Sequence, residues 1–285
     1  MPGDRREAFR EPLWTRSGVR LRQLASGPGR WNWLFLPGGP GLGSETLVDL
    51  ARTVEVTGSS WLVDLPGDGS NRAPAGAGAD PYAQWPHVLV EAAQAVDSAV
   101  LVAHSTGGMF ALSVPDLESY LSGLVLISSA PHSGWRPAFA AHAARHPLPG
   151  VGEAAARWAE QPDDGSLRDL TLAAAAWNFT PEGLPAGRAL LEHAAYHHRA
   201  VAWAEAHFDD GYRSRWIPTA LPALIVSGAE DNVVAQHLWR EAGGFDRPNI
   251  IRHVIGKAGH FPWIENPGPV RAAFAELTAR MEGPA

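Results

Sequence analysis

The chain has 285 residues, 45% of them hydrophobic and 19% charged, with a formal charge of -7. That is enough apolar material for one large folded domain, and it excludes wholesale disorder. The acidic balance argues against a nucleic-acid partner, which would need a basic patch. The lack of cysteine excludes a disulfide scaffold, a thiolate metal site and a cysteine nucleophile. The opening stretch MPGDRREAFREPLWTR has no signal-peptide core, and no run of about 18 apolar residues follows, so the expected protein is cytoplasmic and has no membrane partner.

Read along the chain, short β-rich runs alternate with helical stretches, the pattern of an α/β fold with a mainly parallel sheet. Strands are expected at Val19–Leu24, Trp31–Leu36, Ser60–Asp64, Ala99–Ala103, Leu124–Ser128, Ala223–Ser227 and Ile250–Ile255. Several are continuously apolar, as in a sheet covered by helices on both faces. Helices are expected near Gly43–Val56, Tyr82–Ser98, Thr106–Val114, Val234–Ala242 and Pro269–Met281. One interval breaks the alternation. Residues 131–217 contain no convincing strand but several Ala-rich helical segments, Glu153–Glu160, Leu167–Trp177 and Arg188–Phe208. This reads as a helical cap inserted into a core made of residues 1–130 and 218–285. The insert holds five of the twelve tryptophans, among them Trp135, Trp177 and Trp203, which are candidates to line a substrate pocket.

The sharpest local signal is Val100-Leu-Val-Ala-His-Ser-Thr-Gly-Gly108, where a buried strand turns at once into a helix. Such a turn admits only small side chains two positions either side of its tip, and Ala103 and Gly107 stand there. Ser105 is thereby thrust out of the backbone above a helix N-terminus, which favours developing negative charge. A nucleophilic serine needs a base, and the base needs an orienting carboxylate. The strand Ala223–Ser227 runs into Gly228-Ala-Glu-Asp231, and Ile250–Ile255 runs into Gly256-Lys-Ala-Gly-His260. Ser105, Asp231 and His260 therefore follow three separate strands in the order Ser, Asp, His. Glu230 is the alternative acid, disfavoured by the Gly-x-x-Asp spacing. After Trp31–Leu36, the glycine-rich loop Pro37–Gly43 offers bare backbone N–H groups for an oxyanion hole, to be paired with the N–H of Thr106.

These motifs together resemble the capped α/β-hydrolases, the class that includes prolyl iminopeptidases, esterases, lactonases and carbon–carbon bond hydrolases. The likeness runs through Gly38-Gly-Pro-Gly41, Asp64-Leu-Pro-Gly-Asp-Gly-Ser70, the elbow at Ser105, Asp231 and Gly259-His260. It implies an α/β-hydrolase fold, places Gly39 as the second oxyanion donor, and requires no metal or organic cofactor. Pro37 and Asp68 stand where the family usually has histidine. The resemblance implies a serine hydrolase cleaving a small-molecule ester or lactone through an acyl-enzyme. A prolyl iminopeptidase matches in only one motif of three; in such enzymes acidic cap residues bind the substrate amine, a role for which Glu192 and Glu205 are candidates.

Several features have plainer readings. Glu265 reads as a helix-capping or surface residue, and His104 as a packing neighbour of the nucleophile. His193 and His197 are spaced to share one helical face, but no third ligand is implied and no metal is expected there. A dinucleotide-binding oxidoreductase, suggested by Gly38–Gly43 and Asp64, fails because Ser44 takes the place of the third glycine. A non-catalytic binding module would leave the three aligned residues without purpose.

Overall fold

Strands that are apolar at nearly every position need cover on both faces, and the architecture supplies it. The computed structural model describes residues 11–283. Among them, eight strands form one sheet: β1 (Leu13–Trp14), β2 (Arg20–Ser26), β3 (Asn32–Leu36), β4 (Ser59–Asp64), β5 (Ala99–His104), β6 (Leu121–Ile127), β7 (Ala223–Gly228) and β8 (Ile250–Ile255). Their spatial order is β1-β2-β4-β3-β5-β6-β7-β8. From β4 to β8 all neighbours are parallel, while β2 lies antiparallel on β4 and β1 antiparallel on β2.

Alternation along each strand divides the core in two. Leu34 and Leu36 of β3 and Leu101 and Ala103 of β5 face one way, against Trp85, Leu89 and Leu112. Trp33, Phe35, Val100 and Val102 face the other, against Leu50, Phe274 and Leu277. The helices that bring these partners are α1 (Val48–Thr53), α2 (Trp85–Gln94) and α3 (Thr106–Leu112), and the C-terminal α12 (Pro267–Glu282). Between β6 and β7 come six helices and no strand: α4 (Trp135–Arg145), α5 (Val151–Glu160), α6 (Asp164–Ala173), α7 (Ala175–Asn178), α8 (Leu184–Glu192) and α9 (His198–His207). Two short helices complete the set, α10 (Leu238–Glu241) and α11 (Pro262–Glu265).

Strand order reverses at β3. The chain steps from β3 outward to β4, then crosses back to place β5 on the other side of β3, with Leu36 paired to Ala103. At such a switch point the loops leaving the two strands part, opening a crevice at the carboxyl edge of the sheet.

The sequence predicts every strand but β1, with shifted ends. Three helices differ from expectation for identifiable reasons. Residues 44–47 form a 3-10 turn before α1. Residues 232–237 wrap around Asp231, whose Oδ1 accepts the N–H groups of Val233 and Val234, and only Leu238–Glu241 remains helical. The expected helix Arg188–Phe208 is broken at residues 193–197. There the backbone pairs with the glycine-rich loop instead of with itself: Gly43 N donates to Ala195 O (2.9 Å) and His197 N to Gly41 O (2.8 Å). His193 and His197 consequently share no helical face.

Candidate active site

The carboxyl ends of β3, β5, β7 and β8 bring the candidate residues to one edge. Ser105 sits between β5 and α3 at φ +50° and ψ -123°, a region that non-glycine residues adopt only when their surroundings hold them there. Its own N–H donates to Ile127 O (2.8 Å), tying the turn to β6. A Cβ on Gly107 would collide with the carbonyl oxygen of Pro37, and one on Gly108 would meet the side chain of Ser129. Gly107 lets α3 start flush against the glycine-rich loop, and Gly108 lets it pack against the segment that follows β6.

The Oγ of Ser105 lies 3.0 Å from His260 Nε2, and His260 Nδ1 lies 3.0 Å from Asp231 Oδ2. All three residues are buried. With its other oxygen on two backbone N–H groups, Asp231 is a fixed carboxylate acceptor for the imidazole. Glu230 is exposed at the turn and faces none of this. The N–H groups of Gly39 and Thr106 find no acceptor among the described residues, while Thr106 Oγ1 donates to Gly39 O (3.0 Å), holding the two positions together.

His260 is held from several sides. Its N–H donates to Asn178 O (2.7 Å), at the end of α7. His104 Nε2 donates to its carbonyl (3.0 Å). Burial, reinforced by the neighbouring His260, holds the His104 imidazole well below the usual histidine range, so it is a neutral donor. Glu265 is a structural clamp rather than a surface residue: Oε2 accepts Gly259 N (2.6 Å) and Oε1 accepts Thr180 N (2.7 Å). It fastens the histidine loop to the helical segment. Its position five residues after a histidine carried no signal of this, because its partner Thr180 is remote in sequence.

Asp68 is a further residue with a role the sequence did not predict. It is buried beneath the glycine-rich loop, where Oδ1 accepts Gly41 N (2.8 Å) and Gly69 N (2.9 Å). Burial pushes its carboxyl up to about 7; the two N–H donors oppose this, and Asp64 and Glu45 add to it. Asp64 itself is committed to Arg20 and Arg22, at 2.9 and 2.8 Å, so it is no free ribose acceptor.

A cavity of about 150 Å³ opens on Ser105 and His260, with Leu42, Met109, Trp135, Val233, Val234 and Phe261 as its apolar walls and Asn178 from the helical segment. Its only titratable lining groups are His104 and His260. Of the candidate substrate residues, Trp135 lines it and the other four do not. Trp177 donates to His146 O and packs edge-on against Phe139. Trp203 packs with Tyr82, Trp85 and His207. Glu192 and Glu205 are exposed. A larger groove of about 550 Å³ near Arg213, Trp216 and Arg247 lies apart from this cavity, and neither Ser105 nor His260 lines it.

Two outcomes follow from this packing. Gly107→Ala has to displace Pro37, and the expected cost is about 2 kcal/mol of unfolding free energy, read by urea denaturation; an unchanged midpoint would refute the close approach. Asp68 releases its proton at about 4 in an unfolded chain but near 7 when folded. Its protonation therefore supports the fold fully below about 4, and that support is lost as pH rises through 7. The melting temperature of wild type minus that of Asp68→Asn should fall between pH 5 and pH 8, and a pH-independent difference would contradict the assignment.

Residues 7–273 match the alpha/beta hydrolase family. A search of curated proteins finds no match. Among solved structures, a thermophilic esterase from Thermogutta terrifontis superposes with a TM-score of 0.69 at 17% identity, covering 95% of this chain and 99% of that one. An esterase from Exiguobacterium antarcticum gives 0.67 at 21% identity, over 94% and 99%. Proline iminopeptidase from Mycobacterium smegmatis gives 0.63 at 18%, over 95% and 98%. Likeness at these identities concerns the fold. No helix among the described residues is long and apolar enough to cross a membrane. With the sheet order, the strand-to-helix turn at Ser105 and the family match in agreement, the chain belongs to the alpha/beta hydrolase family.

Proposed function

We propose that this protein is a serine hydrolase that cleaves small, uncharged carboxylic esters or lactones through an acyl-enzyme. The observation that carries the reading is the unbroken hydrogen-bonded line Asp231–His260–Ser105 ending in an apolar cavity. His260 Nε2 takes the proton of Ser105 as Oγ attacks the carbonyl carbon, and Asp231 stabilises the imidazolium and fixes its tautomer. The N–H groups of Gly39 and Thr106 receive the oxyanion; one such donor is worth on the order of 3 kcal/mol in serine hydrolases. His260 then protonates the leaving alcohol and activates the water that releases the acid. In this reading residues 131–217 are a cap, contributing Trp135 and Asn178 to the cavity. The chemistry calls for no metal or organic cofactor, and the working setting is the cytoplasm, with a small molecule as substrate and neither nucleic acid nor membrane as partner.

Cavity size and lining argue for the substrate class. A volume of about 150 Å³ holds an organic group of roughly benzene's size. No carboxylate lines it to meet a substrate ammonium, which counts against an iminopeptidase. Carbon–carbon bond cleavage would use the same three residues, but nothing in the lining favours it over ester cleavage.

The test is turnover of p-nitrophenyl acetate, butyrate and octanoate beside proline p-nitroanilide. Short esters should be cleaved fastest, and Ser105→Ala should remove at least a thousandfold of that rate while leaving the melting temperature nearly unchanged. Asp231→Asn should cost on the order of 10⁴ in kcat. Preferential anilide cleavage, or ester turnover that survives Ser105→Ala, would overturn the reading.

A further inference from the structure

The break between α8 and α9 assembles a second cluster, remote from Ser105 in the sequence and independent of the proposed hydrolase chemistry. Asp164, His197 and His198 each present one donor atom, and the three atoms lie within 4.8 Å of one another. His198 Nδ1 is 2.8 Å and His197 Nδ1 is 3.8 Å from the same carboxylate oxygen, Asp164 Oδ1. The His197 side chain is only 7% exposed, and its Nδ1 has no hydrogen-bond partner although it faces this carboxylate. An orphaned buried nitrogen is costly unless something meets it. At the other side of the ring, Nε2 faces the hydroxyl of Tyr82 at 3.4 Å. That outer contact serves either tautomer, since the hydroxyl can donate or accept; with the proton on Nε2, the lone pair of Nδ1 turns toward Asp164, the arrangement found around metal-binding histidines.

We propose that Asp164, His197 and His198 form a binding site for one divalent transition-metal ion of the zinc class. Two imidazoles and one carboxylate oxygen suit zinc, cobalt or nickel, and are a poor set for magnesium or calcium, which prefer oxygen alone. Bonds of about 2.0–2.1 Å in tetrahedral geometry put ligand atoms about 3.3 Å apart. The two carboxylate–imidazole distances, 2.8 and 3.8 Å, bracket that value, and the imidazole nitrogens, within 4.8 Å of each other, have to turn toward one another to meet on one ion. Asp164 and His198 are partly exposed, at 30% and 26%, which leaves a fourth position for water. Arg72 pairs with the other carboxylate oxygen, Asp164 Oδ2, and with the carbonyl of Tyr196. It opposes a cation by charge, yet it also orients Asp164 so that Oδ1 points at the two histidines.

The site lies where it can act as a clip. Asp164 opens α6, while the N–H of His197 donates to Gly41 O in the glycine-rich loop. An ion here ties the helical segment to the backbone two residues from Gly39.

The experiment uses the full-length protein stripped with a chelator and then titrated with Zn²⁺ and, separately, with Co²⁺. One equivalent per chain is expected, with a visible Co²⁺ absorption of tetrahedral type, a melting temperature several degrees higher with Zn²⁺, and no such rise with Mg²⁺. His197→Ala and His198→Ala should each weaken uptake at least tenfold. His198 is the more exposed of the two, so its variant keeps the test available if His197→Ala does not fold. His142 on α4 and His146 just past its end, with ring centroids 4.6 Å apart, are the rival surface pair. His142→Ala should leave uptake unchanged. Absence of uptake, uptake that survives both variants of the cluster, or uptake lost with His142→Ala would overturn the proposal.

Discussion

Everything at the carboxyl edge of this sheet depends on one backbone position held at positive φ. Ser105 can occupy φ +50° only because its N–H is anchored on β6, its carbonyl accepts Gly108 N at 3.0 Å, and bare glycines face Pro37 and Ser129. A side chain in such a conformation costs of order 1–3 kcal/mol unless its surroundings over-determine it. Here the surroundings are two parallel strands, β3 and β6, packed on either side of β5. The position of the hydroxyl is thus a property of the sheet register, not of a loop that happens to pass by.

The imidazole is positioned by a different principle. The loop carrying His260 has no strand on its far side and would be free to move were it not tied at three points. Asn178 O, Glu265 and His104 supply those ties, and two of them lead into the helical segment between β6 and β7. A neutral His104 is important to this arrangement. A charged imidazole 4.9 Å from His260 would oppose the positive charge that the proposed proton transfer from Ser105 would place there.

The elements that the chain specifies locally were legible without coordinates. A buried strand ending in Ala-His-Ser-Thr-Gly demands the tight turn whatever surrounds it, and the Gly-x-x-Asp spacing separates Asp231 from the exposed Glu230. Short β-rich runs, several of them continuously apolar, located all the parallel strands. What remained hidden depends on partners far apart in sequence. Helical periodicity through Arg188–Phe208 gives no warning that residues 195–197 will pair with Gly41 and Gly43, because that competition is decided by a loop about 150 residues earlier. Glu265 likewise reads as a capping or surface acid until its N–H partners are known, and Asp68 gives no local sign of the two N–H groups it accepts. Aromatic content was a poor guide to the cavity, since Trp177 and Trp203 pack against other rings and only Trp135 of the three faces Ser105.

The division of labour between sheet and helical segment is therefore incomplete, and this bears on how such an enzyme could change its substrate. If the helices served only as walls, substitutions in them would alter binding and leave the chemical step alone. Trp135 fits that description. Asn178 does not: it lines the cavity, and its carbonyl also holds the N–H of His260. Thr180 shares Glu265 with Gly259, so displacing it also disturbs the residue before the proposed base. Changes around residues 178–180 are coupled through the backbone to the position of His260. The freedom to reshape the cavity lies instead with Leu42 and Trp135, since the N–H of Val233 is held by Asp231 and that of Met109 by the carbonyl of Ser105.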